Sequence, residues 1–151
     1  MKKLVAVSIA LFLKDVDQSG FSVWMQVRQD HGELNGKWEF PGGKIESLET
    51  PAQAVVREVK EEVDCDIDSL KTKLFRLYPY QYGEKTICLF PFLIEGAKPE
   101  KNKGEWFHIN FEDKSSPLKE KIPAANIPLI NDLCDYLKTL VESESYSLLW
   151  R

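Results

Sequence analysis

The stretch from Phe40 to Ile67 places the strongest limits on how this chain folds. It combines a glycine turn, a helix-start signal and a cluster of acidic residues. Within it, Thr50, Pro51 and Gln53 match a capping box, in which the threonine accepts a hydrogen bond from a first-turn amide and proline occupies the first helical position. The sequence therefore predicts a helix that begins directly after Thr50.

This predicted helix has one apolar face and one acidic face. Apolar residues at three- and four-residue steps predict a stripe that packs on the core, namely Val55, Val56, Val59 and Val63. Glu58, Glu61 and Glu62 recur at the same steps on another face, where like charges cost an isolated helix about 0.2–0.5 kcal/mol per pair. One interpretation is a solvated helix face, and the other is a cation site, because a bound cation reverses this repulsion.

The residues before the helix favour the cation site. Gly42 and Gly43 allow the backbone to approach a ligand closely, and Glu46 and Glu49 can fold back beside the helix N-terminus. Several carboxylates together with an exposed backbone carbonyl suit Mg²⁺, with Mn²⁺ as an alternative, carrying a phosphate substrate.

The spacing of Gly43, Glu49 and the run from Arg57 to Cys65 resembles the signature of the Nudix hydrolases, and every charged position of that signature is matched. The one departure is Asp64, where the family usually has a glycine that ends the helix in a left-handed conformation. Aspartate tolerates this conformation better than most residues, so we expect a cost of about 1 kcal/mol and retained activity. The resemblance covers Lys3 to about Leu140.

The resemblance implies an α/β fold of the Nudix type, an α/β/α sandwich with a mixed central β-sheet. A length of 151 residues fits a single domain spanning 1–151, with 142–151 as a C-terminal extension. Residue patterns place strands at 4–13, 21–28, 70–81, 85–95 and 105–109. The first two strands form a predicted hairpin, and Pro91 predicts a bulge or a sheet edge.

Composition excludes several classes of protein. A net charge of -4 and a pI near 5.3 argue against a surface that binds nucleic acid directly, so any nucleotide partner is expected to be small. Cys65, Cys88 and Cys134 lack metal-ligand spacing and are expected to be reduced residues of a cytoplasmic protein, most simply small buried hydrophobes. The apolar N-terminal run predicts a strand rather than a signal peptide, and no stretch is long and apolar enough for a membrane span.

The family resemblance implies specific catalytic roles. The implied metal ligands are the Gly42 carbonyl and the carboxylates of Glu58, Glu61, Glu62 and Glu105. Arg57 is expected to pair with Glu49 or Glu58 and to orient the carboxylates. Lys44 is either a solvated lysine or a residue that neutralises phosphate charge. Either Glu58 or Glu105 is the general base, and the sequence leaves that choice open.

Three further residues bear on the substrate. In the MutT branch of the family, residues matching Arg28, Phe40 and Asn126 contact the nucleotide. Taken alone, the position of Arg28 favours a solvated residue at the end of a strand, whereas Asn126 before Pro128 is equally a helix cap. An amide is nonetheless suited to reading a base edge, because it offers a donor and an acceptor side by side.

These resemblances imply Mg²⁺-dependent hydrolysis of 8-oxo-dGTP to 8-oxo-dGMP and pyrophosphate, a mutation-avoidance reaction related to DNA repair. The alternatives are a Nudix hydrolase for another (d)NTP or nucleoside diphosphate derivative, and a non-catalytic module that recognises 8-oxoguanine. We expect a monomer or weak dimer without membrane contact. The polar segment 110–121 either covers the pocket or is an inert insertion.

Overall fold

The computed structural model describes residues 3–29, 32, 34–68, 71–99 and 104–151. The strands are β1 Lys3–Lys14, β2 Gly20–Val27, β3 Trp38–Glu39, β4 Gly42–Lys44, β5 Lys73–Leu74, β6 Tyr78–Tyr82, β7 Lys85–Glu95 and β8 Gly104–Asn110. The α-helices are α1 Pro51–Val63 and α2 Asn126–Glu142, with 3-10 helices at Ser116–Leu118 and Tyr146–Trp150. The α/β class and the mixed sheet are confirmed.

The chain forms two compact units, each built from two separate stretches of sequence. Met1–Phe12 and Phe40–Asn102 form the first unit, whereas Leu13–Glu39 and Lys103–Arg151 form the second. β1 contributes its first ten described residues to the first unit and Leu13 and Lys14 to the second. The single domain expected over 1–151 stays a prediction.

In the first unit, β1 lies beside β4, the short strand that contains Gly42 and Gly43. The two strands pair antiparallel, with Ser8 opposite Gly43 and Ile9 opposite Gly42. β7 lies next to β1 and β5, and its N-terminal half pairs antiparallel with β6. Within this unit, β1 buries its apolar residues from Ile9 to Phe12, whereas Leu4 near its start is exposed.

The single strand expected over 70–81 is wrong, because β5 and β6 are separate strands. Leu74 pairs with Phe92 and Tyr78 pairs with Leu89, so residues 75–77 stand opposite only Phe90 and Pro91. Proline has no N–H to donate, which breaks the ladder at this point. The bulge expected at Pro91 is confirmed. Leu70, the first residue of the expected strand, lies outside the described residues.

α1 begins where the capping box predicts. The Gln53 amide donates to Thr50 Oγ1 at 3.1 Å, and the Thr50 amide donates to Gln53 Oε1 at 2.9 Å. Such a cap stabilises a helix by about 1 kcal/mol. The expected apolar stripe is buried at Val55, Val59 and Val63, while Val56 is only half-buried.

A buried serine fastens the start of α1 to β1. Ser8 is fully buried, and its hydroxyl donates to the Pro51 carbonyl at 2.8 Å. The first turn of a helix is thereby fixed beside the strand that pairs with Gly43. This contact connects the helix start to the glycine turn, and the sequence analysis did not anticipate it.

The second unit is organised on β2. Its residues pair antiparallel with β8 along their whole common length, from Gly20 opposite Asn110 to Gln26 opposite Gly104. Leu13 and Lys14 also pair with β2, which confirms the predicted hairpin, and β3 pairs with the end of β2. α2 buries an apolar face formed by Leu129, Ile130, Leu133 and Leu137.

The remaining expectations have mixed outcomes. Cys65 and Cys134 are buried as expected of small hydrophobes, Cys88 is half-buried, and all three are free thiols. Burial is the main reason that the pKa of the Cys134 thiol rises to about 12. The expected extension 142–151 contains a 3-10 helix in which Tyr146 and Trp150 meet edge to face at 6.3 Å. No helix in the described ranges has the length and apolar character needed to cross a bilayer.

Candidate active site

Arg57 is the centre of the polar arrangement on α1. Its Nε and Nη2 donate to the two carboxylate oxygens of Glu49 at 2.7 and 2.9 Å. Its Nη1 donates to Glu58 at 2.8 Å, and Nη2 also donates to the Lys44 carbonyl at 3.1 Å. A two-pronged bond between guanidinium and carboxylate fixes both groups in one plane. The expectation that Arg57 pairs with Glu49 or Glu58 is confirmed, and it pairs with both.

These bonds shift the pKa values of both partners. The hydrogen bonds from Arg57 and from the Glu46 amide lower the pKa of Glu49 from 4.5 to about 2. The bonds to Glu49 and then Glu58 raise the pKa of Arg57 further above its ordinary value. The pair therefore remains charged at neutral pH, which keeps the orientation of the arginine constant.

The loop before α1 is closed by its own backbone. The Glu49 amide donates to the Glu46 carbonyl at 3.2 Å, and the Glu46 amide donates to Glu49 Oε1 at 2.9 Å. This turn places Leu48 in the left-handed region, with φ of 67°, and leaves its side chain fully exposed. A left-handed conformation costs a non-glycine residue about 1–2 kcal/mol. The loop accepts that strain while it brings Glu49 to Arg57.

The two glycines before α1 make room for carboxylates from the helix. A Cβ at Gly43 would collide with the Glu58 carboxylate, and a Cβ at Gly42 would collide with the Ser8 carbonyl. The Gly42 amide donates to Glu62 Oε2 at 3.0 Å. Glu58 and Glu62, one turn apart on α1, therefore both lie against the glycine strand, as the acidic-face pattern suggested.

Glu61 and Lys44 are more exposed than these two carboxylates. Glu61 keeps 59% of its side chain exposed, and its nearest cation is Arg57 Nη1 at 3.4 Å. Lys44 is exposed, and its contact with Arg57 is made through its carbonyl. Arg57 offsets part of the repulsion on the acidic face, because it contacts Glu58 and Glu61. The contact with Glu61 follows from the position of Arg57 one turn before it on the helix.

The donor chemistry of this region fits a hard divalent cation. Among the described residues, no group of three or more His, Cys, Asp and Glu side chains converges as a metal site. Glu58 and Glu62 are instead engaged by Arg57 and by the Gly42 amide. All of the available ligands are oxygens, which is the preference of Mg²⁺ and Mn²⁺. A carboxylate has two oxygens, so one that accepts such a hydrogen bond can still offer an oxygen to a cation.

Asp64 ends α1 in the left-handed conformation that the sequence comparison predicted. Its φ and ψ are 50° and 43°, so aspartate occupies the backbone state usually taken by glycine. Lys60, one turn earlier, lies 3.1 Å from Asp64 and 3.5 Å from Asp66. The bond with Asp64 is the main reason that the pKa of Lys60 rises. Lys60 thus forms an ion pair at the position where the family usually has a glycine.

In the second unit, Arg28 follows β2 and bonds to a residue that the sequence analysis missed. Its Nη1 donates to Glu39 Oε2 at 3.4 Å, with 40% of the arginine side chain exposed. Glu39 lies in β3, opposite Gln26. The signal that could have found Glu39 is a hairpin: if the strand that ends before the polar loop pairs with the residues after that loop, Glu39 lies close to Arg28. The arginine is thus held by a carboxylate and is not simply a solvated residue.

Asn126 is the first residue of α2 and does not cap it. The N-cap position is Ala125, and no side-chain cap is made there. Asn126 is 7% exposed, and its backbone amide donates to the Pro123 carbonyl at 3.0 Å. Its side-chain amide makes no hydrogen bond to a described residue, and it is not among the fully buried polar atoms that lack a partner, so it keeps contact with solvent. The interpretation of Asn126 as a helix cap is therefore wrong.

The predicted site residues fall into two groups. The first unit brings together Arg57 and its partners, namely Glu49, Glu58, Glu61 and Lys44. In the same unit Gly42 bonds to Glu62, and Phe40 is buried. Arg28, Glu105 and Asn126 belong to the second unit. Glu105 is an exposed residue of β8 and lies opposite Met25 of β2. The catalytic and binding roles of both groups stay predictions at this point.

Comparison with known sequences identifies the domain type. The NUDIX domain model matches residues 2–126. The chain is 34% identical over 142 residues to the 8-oxo-dGTP diphosphatase of Escherichia coli, covering 88% of this chain and 98% of that protein. It is 28% identical over 137 residues to the 8-oxo-dGTP diphosphatase of Haemophilus influenzae, covering 87% and 93%.

Solved structures share the fold. A MutT NUDIX hydrolase from Burkholderia pseudomallei superposes with a TM-score of 0.67 at 18% identity, covering 87% of this chain and 98% of that one. A MutT protein from Methanosarcina mazei gives a TM-score of 0.59 at 19% identity, covering 95% and 96%. At these identities the likeness concerns the fold.

Proposed function

The chain belongs to the Nudix family, and from this premise we propose that it hydrolyses 8-oxo-dGTP to 8-oxo-dGMP and pyrophosphate. The observation that carries the proposal is Asn126, a largely buried residue whose side-chain amide makes no hydrogen bond to a described residue. Such an amide is available to a ligand with a complementary base edge, because it offers a donor and an acceptor side by side. The similarity to the E. coli diphosphatase along 98% of its length supports the same substrate.

Nudix hydrolases generally depend on a divalent metal, and we assign Mg²⁺ to this chain, with Mn²⁺ as an alternative. The proposed ligands are the Gly42 carbonyl, Glu58, Glu61, Glu62 and Glu105. The cation would supply charge neutralisation on the triphosphate and make the attacking water more acidic. The place of Glu58 and Glu62 against the glycine strand supports their inclusion.

The remaining groups of the first unit prepare the carboxylates. Arg57, bonded to Glu49 and Glu58, fixes the direction of Glu58, and Glu49 fixes the arginine. Lys44 is exposed beside this arrangement and is proposed to neutralise charge on the phosphates. Either Glu58 or Glu105 takes the proton of the attacking water, and separate pH profiles of the two Glu→Gln variants will distinguish them.

Recognition of the nucleotide is assigned to Arg28, Phe40 and Asn126. The Asn126 amide would bond to the edge of the modified base, where a donor and an acceptor are needed side by side. Arg28, held by Glu39, would bond to the nucleotide, and Phe40 would bound the base pocket. The physiological consequence is removal of a mutagenic nucleotide, a reaction of DNA-damage avoidance. We place the protein in the cytoplasm as a monomer or weak dimer that does not bind nucleic acid directly.

Steady-state hydrolysis of a substrate panel tests this proposal. We expect kcat/KM for 8-oxo-dGTP to exceed that for dGTP and CTP by at least about 100-fold, since a site built to bond a polar group discriminates strongly against its absence. Comparable efficiency on all three would instead indicate a Nudix hydrolase of broader substrate range. Binding of 8-oxo-dGTP without Mg²⁺-dependent hydrolysis would indicate a recognition module.

A further inference from the structure

The connecting segment, defined here as residues 111–122 between β8 and α2, is packed into the second unit. Phe111, Ser115, Leu118 and Ile122 are all buried, with Ser115 only 1% exposed. A segment with buried residues along its whole length has a fixed path, because moving it would expose apolar surface. It leads directly to Asn126, whose amide donates to the Pro123 carbonyl.

One side of the connecting segment is fixed to α2. Asn131 Oδ1 accepts two hydrogen bonds from Ser115, at 2.7 Å from the hydroxyl and 3.1 Å from the backbone amide. Lys114 forms an ion pair with Asp135 at 2.8 Å. Because Asn131 lies five residues after Asn126, these bonds fix the segment to the same helix that carries the proposed base-reading amide.

Its other side is fixed to β3. The Trp38 amide donates to the Lys121 carbonyl at 2.7 Å, and Lys37 Nζ donates to the Glu120 carbonyl at 2.7 Å. The segment thus extends the hydrogen bonding of a strand that has only two residues. The bond from the Lys37 side chain joins two residues that lie 83 positions apart in the sequence.

β3 also holds Arg28. The Arg28 amide donates to the Lys37 carbonyl at 2.8 Å, and the Arg28 side chain bonds to Glu39. Lys37 therefore bonds to Arg28 through its carbonyl and to the connecting segment through its side chain. Two proposed nucleotide-binding residues, Arg28 and Asn126, are thus linked through Lys37 and the short strand that directly follows it.

We propose that Lys37 and Asn131 are positioning residues that set the distance between Arg28 and Asn126 through the connecting segment, and so determine selectivity for the modified base. This inference rests on the proposed function, because it gives Asn126 a base-reading role. It assigns the connecting segment a positioning role, in place of a cover over the pocket or an inert insertion. Neither positioning residue needs to touch the substrate.

The first test replaces Lys37 with Met, which keeps the length of the side chain and removes its bond to Glu120. We expect KM for 8-oxo-dGTP to rise about 5–10-fold, as for loss of one hydrogen bond, with kcat unchanged within about twofold. Lys37→Arg is the matched control, because it retains a donor and should keep KM near the wild-type value. Equal KM values for the Met and Arg variants would overturn the role of Lys37.

The second test replaces Asn131 with Ala and, as a control, with Asp, which retains an oxygen acceptor for Ser115. We expect Asn131→Ala to raise KM for 8-oxo-dGTP as Lys37→Met does. Asn131→Asp should keep KM close to the wild-type value. Thermal unfolding of each variant shows whether it is folded. If Asn131→Ala fails to fold, Lys37→Met still decides, because its side-chain bond lies at the surface.

A double-mutant cycle separates positioning from general destabilisation. In an Asn126→Ala background, Lys37→Met and Asn131→Ala should cause no further rise in KM, because the residue they position is gone. Additive losses would overturn the positioning role. Unchanged preference for 8-oxo-dGTP in Asn126→Ala would overturn the base-reading role and this inference, whereas a wild-type enzyme that shows no such preference in the substrate panel would overturn the proposed function instead. The cycle is then measured on the best substrate of the panel, where an additive result still overturns the link.

Discussion

The two α-helices of this chain begin in opposite ways. α1 begins with a capping box in which Thr50 and Gln53 satisfy each other's backbone amides. α2 begins after Ala125 without a side-chain cap, although Asn126, one residue further, is of a type that caps helices well. The Asn126 side chain makes no hydrogen bond to a described residue. Polar side chains thus stabilise the start of α1, whereas at α2 a side chain of capping type makes no cap, and we propose that it binds the substrate.

This difference distinguishes residues that serve folding from residues that serve binding. A polar side chain bonded to its own helix lowers the free energy of the folded state, and its loss is measured as stability. A polar side chain that makes no hydrogen bond within the protein contributes little to folding, and its loss is measured as ligand affinity. The following predictions test this distinction, and the first concerns the proposed ligands on α1 itself.

Replacing Glu62 with Gln should have the largest effect. Glu62 accepts a bond from the Gly42 amide and is a proposed metal ligand. Loss of a ligand charge should lower kcat by roughly 100–1,000-fold, equivalent to about 3–4 kcal/mol in the transition state. Mg²⁺-dependent release of pyrophosphate measures it, with the exposed Glu142→Gln as control. Unchanged Mg²⁺-dependent hydrolysis would contradict the catalytic assignment.

Replacing Asn126 with Ala should lower kcat/KM for 8-oxo-dGTP by about 10–100-fold, the value of one base-edge amide contact. Hydrolysis of dGTP should change much less, so the ratio of the two efficiencies is the informative measurement. Because Asn126 does not cap α2, the midpoint of urea unfolding should stay close to that of wild type. A large loss of stability with unchanged selectivity would reverse our interpretation of this residue.

Thr50→Ala should show the opposite result. Removing the cap hydroxyl should lower the free energy of unfolding by about 1 kcal/mol, because the Gln53 amide loses its acceptor. Selectivity between 8-oxo-dGTP and dGTP should not change. Thr50→Ser keeps the hydroxyl and should retain most of the stability. The contrast between the two helix starts fails if Thr50→Ala and Asn126→Ala have the same stability.

The smallest effect concerns acid stability. The pKa of Glu49 is lowered from 4.5 to about 2, chiefly by its bond to Arg57. Its contribution to stability is therefore complete above about pH 4.5 and is lost as the pH falls from there toward 2. Urea unfolding at several pH values should show a shallower acid dependence for Glu49→Gln than for wild type. Glu84→Gln, at an exposed turn, serves as the control and should follow wild type.

Features that depend on neighbouring residues were predictable from the sequence. Four such features involve residues within about two helical turns of each other: the capping box, the buried stripe of α1, the left-handed Asp64 and the pairing of Arg57 with Glu49. Short-range rules of capping and periodicity are sufficient for such contacts. The Nudix signature adds to these rules because its fixed spacings describe the same local geometry.

Features that depend on distant residues were not predictable. The break between β5 and β6 follows from the position of Pro91 on the partner strand. Glu39 became relevant only through its bond to Arg28 across a polar loop. The hydrogen bond from Trp38 to Lys121 joins parts of the chain whose sequences give no sign of their contact. Pairing between distant segments depends on the folded path of the chain, which residue patterns do not specify.

Leu48 makes the loop before α1 a suitable attachment point for laboratory use. Its side chain is fully exposed, so replacing it removes no buried surface, while Glu46 and Glu49 remain bonded to each other within the turn. A cysteine at this position would carry a fluorophore or a surface tether two residues from Glu46 and one from Glu49. Such a label would report on changes around Arg57 during turnover while leaving all of the arginine's partners in place.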